Sequence, residues 1–165
     1  MSMKIIAPIA AGVLLAMAGT AQAVTKTSQF TVSASVSKNC VINTVDLNLG
    51  TFDGTNDLSA SSNVTVRCTN GTPYSVSLSK GASPTFTSRR LTLGADTLVY
   101  NLYTDAGTSI IWGDGTDSSV VVADSGSGMG TAKTHTMYGE LLASANTGAV
   151  GAGAYTDLIT ATISY

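Results

Sequence analysis

A two-residue alternation of apolar and polar side chains constrains this chain more than any other feature. From Asp157 to Tyr165 it is unbroken: Ile159, Ala161, Ile163 and Tyr165 share one face, and Leu158, Thr160, Thr162 and Ser164 share the other. Alternation at that period describes a β-strand, in which successive side chains point to opposite sides. Termini are loose and polar unless something ties them down. An apolar strand running to the last residue is therefore expected to need cover on both faces and a partner along its edge.

The same alternation recurs along the chain. Val64, Val66 and Cys68 face away from Arg67. Tyr74, Val76 and Leu78 alternate with Ser75, Ser77 and Ser79. Leu98, Tyr100 and Leu102 lie opposite Val99 and Tyr103, and His135, Met137 and Leu141 opposite Thr136, Tyr138 and Glu140. Near the N-terminus, Phe30, Val32, Ala34 and Val36 alternate with Thr31, Ser33, Ser35 and Ser37. Shorter candidates are Cys40–Ile42, Leu47 with Leu49, Leu91 with Leu93, Ile110–Trp112 and Val120–Val122. Turn-rich stretches separate them: Asp53-Gly54-Thr55-Asn56-Asp57, Asn70-Gly71-Thr72-Pro73, Gly113-Asp114-Gly115-Thr116, the glycine-rich loop Ser125–Gly130 and the small-residue loop Ala143–Ala154. The strands flanking Asn70–Pro73 read as a hairpin-like unit. No window carries a period of 3.6, and short strands between Gly, Asn and Pro signals predict an all-β sandwich.

Composition supports that reading. Charged residues make up 11% of the chain and Glu140 is the only glutamate; an ordinary soluble domain has roughly 25%. Hydroxylated and β-branched residues supply the polarity, which favours strands over helices. Lys4, the apolar run Ile5–Ala18 and the small-x-small site Ala21-Gln22-Ala23 read as a secretory leader cleaved after Ala23. The run is shorter than the roughly 20 apolar residues of a membrane span. The mature chain would begin at Val24 and hold 165 − 23 = 142 residues, one domain with a real core. Without Lys4, 7 basic residues face 10 acidic ones, a net charge of about −3. No basic stripe exists, so nucleic acid is not an expected partner.

Export places Cys40 and Cys68 in an oxidising compartment, where they are expected to pair and close a loop of 29 residues, counting both ends. Other chemistry finds little support. His135 is the only histidine, and no Gly-x-Ser-x-Gly elbow accompanies it, so it reads as a satisfied strand residue. The carboxylates are isolated in sequence. Asp114, Asp117 and Asp124 lie in glycine-rich loops but match no calcium-loop spacing, and turn chemistry explains them. The Gly126-x-Gly128-x-Gly130 run lacks the helix and lysine of a phosphate loop. Arg89-Arg90 reads as a solvated strand edge, and Trp112 as a core or loop anchor. No enzyme activity, cofactor, metal or small-molecule substrate is expected.

Several segments together carry a likeness: Cys40 after an alternating N-terminal segment, Val64-x-Val66-x-Cys68-Thr69-x-Gly71-Thr72-Pro73-Tyr74, Leu98-Val99-Tyr100-Asn101-Leu102-Tyr103-x-Asp105, Trp112-Gly113-Asp114-Gly115-Thr116, and Gly153-x-Tyr155-x-Asp157 onward to Tyr165. In this order they resemble the spore coat U domain family, which includes pilin subunits of archaic (Csu-type) chaperone–usher pili. The resemblance implies an incomplete immunoglobulin-like β-sandwich lacking its last strand, completed by donor-strand complementation, a form of β-strand addition. It implies a leader (1–23), a donor segment (24–39) and a sandwich domain (40–165). Phe30, Val32, Ala34 and Val36 would form the donor face. An alternative register starts the donor nearer Val24 and leaves part of Phe30–Val36 to the domain. Ile159, Ala161, Ile163 and Tyr165 would border the acceptor groove and meet the chaperone. Implied partners are further pilus subunits in a homopolymer, a periplasmic chaperone and an outer-membrane usher. The implied place is the cell surface, and the implied role adhesion and biofilm formation. A secreted spore-coat or matrix protein of the same fold is the alternative.

Overall fold

The computed structural model describes residues 22–148 and 150–165. Most of the proposed leader, Ala21 included, lies outside the described residues; Ala23 is described and exposed. Among the described residues there are eight strands: β1 (Cys40–Thr44), β2 (Leu58–Cys68), β3 (Pro73–Leu78), β4 (Arg89–Leu93), β5 (Asp96–Tyr103), β6 (Val122–Ser125), β7 (Lys133–Leu141) and β8 (Ala161–Ser164). They form a five-stranded sheet in the order β1-β2-β7-β5-β4 and a three-stranded sheet in the order β6-β3-β8. All the paired strands are antiparallel.

Alternation in the sequence sets the core. Val64, Val66 and Cys68 of β2, Leu98, Tyr100 and Leu102 of β5, and Met137 and Leu141 of β7 enter from the larger sheet. Tyr74, Val76 and Leu78 of β3 enter from the smaller one, and Trp112 is fully buried between loops. The Trp112 Nε1–H donates to the Val76 carbonyl at 3.0 Å, so the indole fills the core without leaving a polar atom unpaired.

The hairpin reading of Asn70–Pro73 is corrected. Strands β2 and β3 lie in different sheets, and the turn arches across the sandwich. Its backbone bonds run to a third segment: the Gly71 N–H donates to the Gly126 carbonyl and the Gly126 N–H to the Thr72 carbonyl. Gly126 lies against the Thr69 carbonyl and Cys68 with no room for a side chain. The physical reason is core supply. A hairpin would put Val64, Val66, Tyr74 and Val76 on one face of one sheet with nothing opposite. The arch turns the two apolar faces toward each other.

Arg89 is a second correction. It is not on a solvated edge but fully buried. Its guanidinium donates to the Ser79 carbonyl (2.9 and 3.2 Å), the Asn101 Oδ1 (2.9 Å) and the Trp112 carbonyl (2.7 Å), and it stacks 5.1 Å from the centre of the Phe86 ring. Burial pushes its pKa down to about 10, so it stays charged at neutral pH. Arg90 alone is exposed.

Cys40 and Cys68 form the expected disulfide across directly opposed positions of β1 and β2. The bond fastens β1, an edge strand, to the centre of the domain. Reduction, or a Cys40→Ser/Cys68→Ser double substitution, is expected to cost roughly 3.5 kcal/mol for a loop of this size. Urea titration of the oxidised and reduced protein measures it, and unchanged midpoints would contradict the assignment.

Candidate functional site: an open groove between two sheet edges

β1 and β8 are edge strands of opposite sheets, and each is paired on one side only. Antiparallel ladders alternate between bonded and non-bonded residue pairs. The Val45 N–H donates to Asn63 and the Thr69 N–H to Asn39, so Asn39, Val41, Asn43 and Val45 turn their backbone toward β2. Cys40, Ile42 and Thr44 turn theirs outward. On β8, the Ser79 N–H donates to the Thr160 carbonyl at 2.8 Å. Thr160, Thr162 and Ser164 therefore face β3, and the N–H and C=O groups of Ala161 and Ile163 face away. Each edge presents a row of unpaired groups that can template another strand.

Between these edges lies a groove with an apolar floor. One part, about 400 Å³, has Thr44–Leu47 and Leu49 on one rail and Thr156–Ile159 with Ala161 on the other. Its floor is Val64, Leu78, Leu91, Tyr100, Leu102 and Met137, the middle of the core. A wider part, about 890 Å³, continues between the Asn48–Gly54 and Asn146–Tyr155 loops over Leu58, Leu91, Leu98 and Leu141. Leu49 and Leu91 line both parts. β1 and β8 themselves come close together. Seating a strand beside β8 there requires the seam to widen by about one strand spacing, 4.7–4.9 Å.

The rails have local causes. Leu47 can lie across β7 because residue 139 is glycine; a Cβ there would collide with the Leu47 side chain. The second rail changes sheets. Thr156 exchanges backbone bonds with Thr92 of β4 at 2.9 and 3.1 Å, whereas Thr160 bonds β3. At the crossing, the Asp157 carboxylate accepts the Tyr100 Oη–H at 2.8 Å and the Ala82 N–H at 3.2 Å. Burial first, and the neighbouring Asp157 second, push the Tyr100 pKa well above the ordinary phenol value, so the hydroxyl remains a donor.

The sequence-derived residues fall as follows. Ile159 and Ala161 line the groove, Ile163 is half-buried against the core, and Tyr165 is 56% exposed. Phe30, Val32 and Val36 are 86%, 82% and 84% exposed, Ala34 is exposed, and residues 22–39 carry no strand. The alternation is present without the ladder, since a strand needs an edge to pair with. The Ser37 carbonyl accepts from Thr69 Oγ1, and the Asn39 N–H donates to the same oxygen. The Leu47–Phe52 rail and Asp157 escaped the sequence reading as groove elements. The quoted Gly153-x-Tyr155-x-Asp157 segment was the one available signal for Asp157.

The remaining polar candidates are structural. Asp114 Oδ1 accepts from the Thr116 N–H and hydroxyl as turn chemistry requires, and those bonds hold its carboxyl below the usual range. Asp124 pairs with Lys133 at 3.1 Å on the surface. His135 Nε2 and the Tyr74 hydroxyl share a hydrogen bond of 2.9 Å, which joins the two sheets. Burial lowers the His135 pKa, and it raises that of Tyr74 to about 12. Because the folded state prefers neutral His135, the unfolded chain takes the proton first. Stability is therefore expected to be flat above about pH 6.5 and to fall as pH drops through that value toward the folded-state pKa. Thermal midpoints between pH 7.5 and 5 measure the slope, and His135→Gln should reduce it.

With the geometry established, three comparisons with known proteins bear on it. A family model described as the Spore Coat Protein U domain matches residues 26–162. No curated protein matches the chain. Among solved structures, similarity is found to a chain in the crystal structure of the CsuC–CsuE chaperone–tip adhesion subunit pre-assembly complex from archaic chaperone–usher Csu pili of Acinetobacter baumannii. The TM-score is 0.58 at 23% identity, over 79% of this chain and 40% of that one. The chain thus spans about two fifths of the length of that neighbour. At this identity the likeness carries the fold: an all-β, incomplete immunoglobulin-like sandwich.

Proposed function

The chain belongs to the Spore Coat Protein U domain family, and from that premise we propose that it is a structural subunit of an archaic chaperone–usher pilus, polymerised by donor-strand exchange. One observation carries the reading. The domain has two edge strands, each paired on one side, flanking a groove with an apolar floor, and the same chain carries an exposed alternating segment, Phe30–Val36, that pairs with no strand among the described residues. The segment of one copy fills the groove of the next, adding main-chain bonds at the edges and side chains in the groove. Full burial of Phe30, Val32 and Val36 is worth roughly 1.5–3 kcal/mol each. Before polymerisation, a periplasmic chaperone occupies the same groove, with the Ile159–Tyr165 strand beside it, and an outer-membrane usher hosts the exchange. The leader (1–23), donor (24–39) and domain (40–165) divide the chain accordingly, and the fibre serves surface adhesion and biofilm formation.

The family's description also favours a second reading, a secreted coat or matrix protein of the same fold acting outside a pilus. Expression with a cognate chaperone and usher, followed by electron microscopy of the cell surface, separates the two. The pilus reading expects thin fibres that disappear without the usher. Secretion as soluble protein in the presence of both would contradict it.

A further inference from the structure

We propose that Asp157 is the positioning residue that holds the groove open for an incoming strand. The inference rests on the donor-strand reading above and deepens it. The stretch from Gly153 to Ser164 serves both sheets, bonding β4 at Thr156 and β3 from Thr160 onward. Between those fixed points only Asp157 ties the crossing segment to the body through its side chain. Its two carboxylate oxygens bind different elements: Oδ2 takes the Tyr100 hydroxyl, which rises from the groove floor on β5, and Oδ1 takes the Ala82 N–H beyond the end of β3. One side chain thus sets the separation of the two sheets at the mouth of the groove.

Three further features fit that role. Gly81 adopts φ +62°, and a Cβ there would collide with the Asp157 carboxylate, so the loop is built around it. Buried Arg89 is hydrogen-bonded only to neutral oxygens, and Asp157 is one of the carboxylates whose field offsets its charge. The next residue, Leu158, is 86% exposed although it lies on the groove rail. An apolar side chain held this far out in water beside an apolar groove floor has every reason to fold inward. The bonds of Asp157 keep the segment from doing so. Without them, the segment carrying Leu158 turns inward, and the groove is filled by its own rail.

The test measures uptake of a fluorescein-labelled peptide covering residues 24–37 by the full chain, followed by anisotropy, with thermal midpoints recorded in parallel. Asp157→Ala and Tyr100→Phe should each slow peptide uptake about tenfold, the equivalent of one hydrogen bond to a charged acceptor. Tyr74→Phe removes the same hydroxyl from a buried tyrosine away from the groove. It should lower the midpoint to a similar degree and leave uptake unchanged. Asp157→Asn, which keeps an acceptor for Tyr100, should recover part of the rate, and it stands in should the alanine variant fail to fold. Uptake by Tyr100→Phe and Asp157→Asn at the wild-type rate would overturn the positioning role and leave the groove reading intact. A wild-type chain that takes up no peptide would overturn the groove reading, and this inference with it.

Discussion

Removal of residues 24–36 is expected to abolish polymerisation while leaving a folded domain. Every residue in that stretch is exposed and outside any strand, and Ser37, just after it, is bonded to Thr69. The disulfide, β1 and the core all lie beyond it, so the thermal midpoint should change by no more than about 2 °C, the scale of a surface change of half a kcal/mol. What is lost is the groove filler. Phe30, Val32 and Val36 together supply on the order of 5–9 kcal/mol of burial in an acceptor, before ordering costs and main-chain bonds. Size-exclusion chromatography and electron microscopy read the outcome. Fibres from the truncated chain would contradict the donor assignment. Fibres from a Phe30→Asp chain would contradict the register that seats Phe30 in the groove.

Arg89→Ala is expected to be the most destabilising single substitution outside the apolar core. It leaves the Ser79 and Trp112 carbonyls buried without this donor, takes one of two donors from the Asn101 Oδ1, which keeps the Leu102 N–H, and empties the volume beside Phe86. Each orphaned acceptor costs about 1–3 kcal/mol. A total of about 3–5 kcal/mol is comparable to much of the stability of a small domain. For a chain of this length that corresponds to a fall in thermal midpoint of about 10–15 °C. Arg89→Met restores volume but no donors and should rescue little. Arg89→Lys supplies one charged donor group without the planar fork and should rescue part. A loss below about 1 kcal/mol for the alanine variant would show that water or backbone shifts satisfy those oxygens.

The strands and their inward faces were legible because alternation is a local property. Val64, Val66, Tyr74, Val76, Leu98, Tyr100, Leu102 and Met137 are all buried as the pattern implies. Which sheet a strand joins is not local, and so Asn70–Pro73 read as a hairpin while it is an arch between sheets. Arg89 was misjudged by residue type. It occupies the same parity as Leu91 and Leu93, which placed it on the inward face of β4; only the three oxygens gathered from Ser79, Asn101 and Trp112 make burial tolerable, and those come together in space alone. The edge strand β8 was legible in outline from the alternation of Ile159–Tyr165, although the strand itself is only Ala161–Ser164. The groove's other rail was not, because Leu47, Leu49 and Phe52 form no regular strand and depend on the missing side chain of Gly139. The sheet-crossing at Asp157 likewise needs the fold to be seen.

The central claim is that the groove of one copy is completed by the N-terminal segment of another. Backbone hydrogen exchange of the assembled fibre against the monomer tests it most directly. The account expects the amides of Ala161 and Ile163 on β8, and of residues 30–36, to exchange freely in the monomer and to become protected together in the fibre. Protection of Ala161 and Ile163 while residues 30–36 still exchange freely would contradict it.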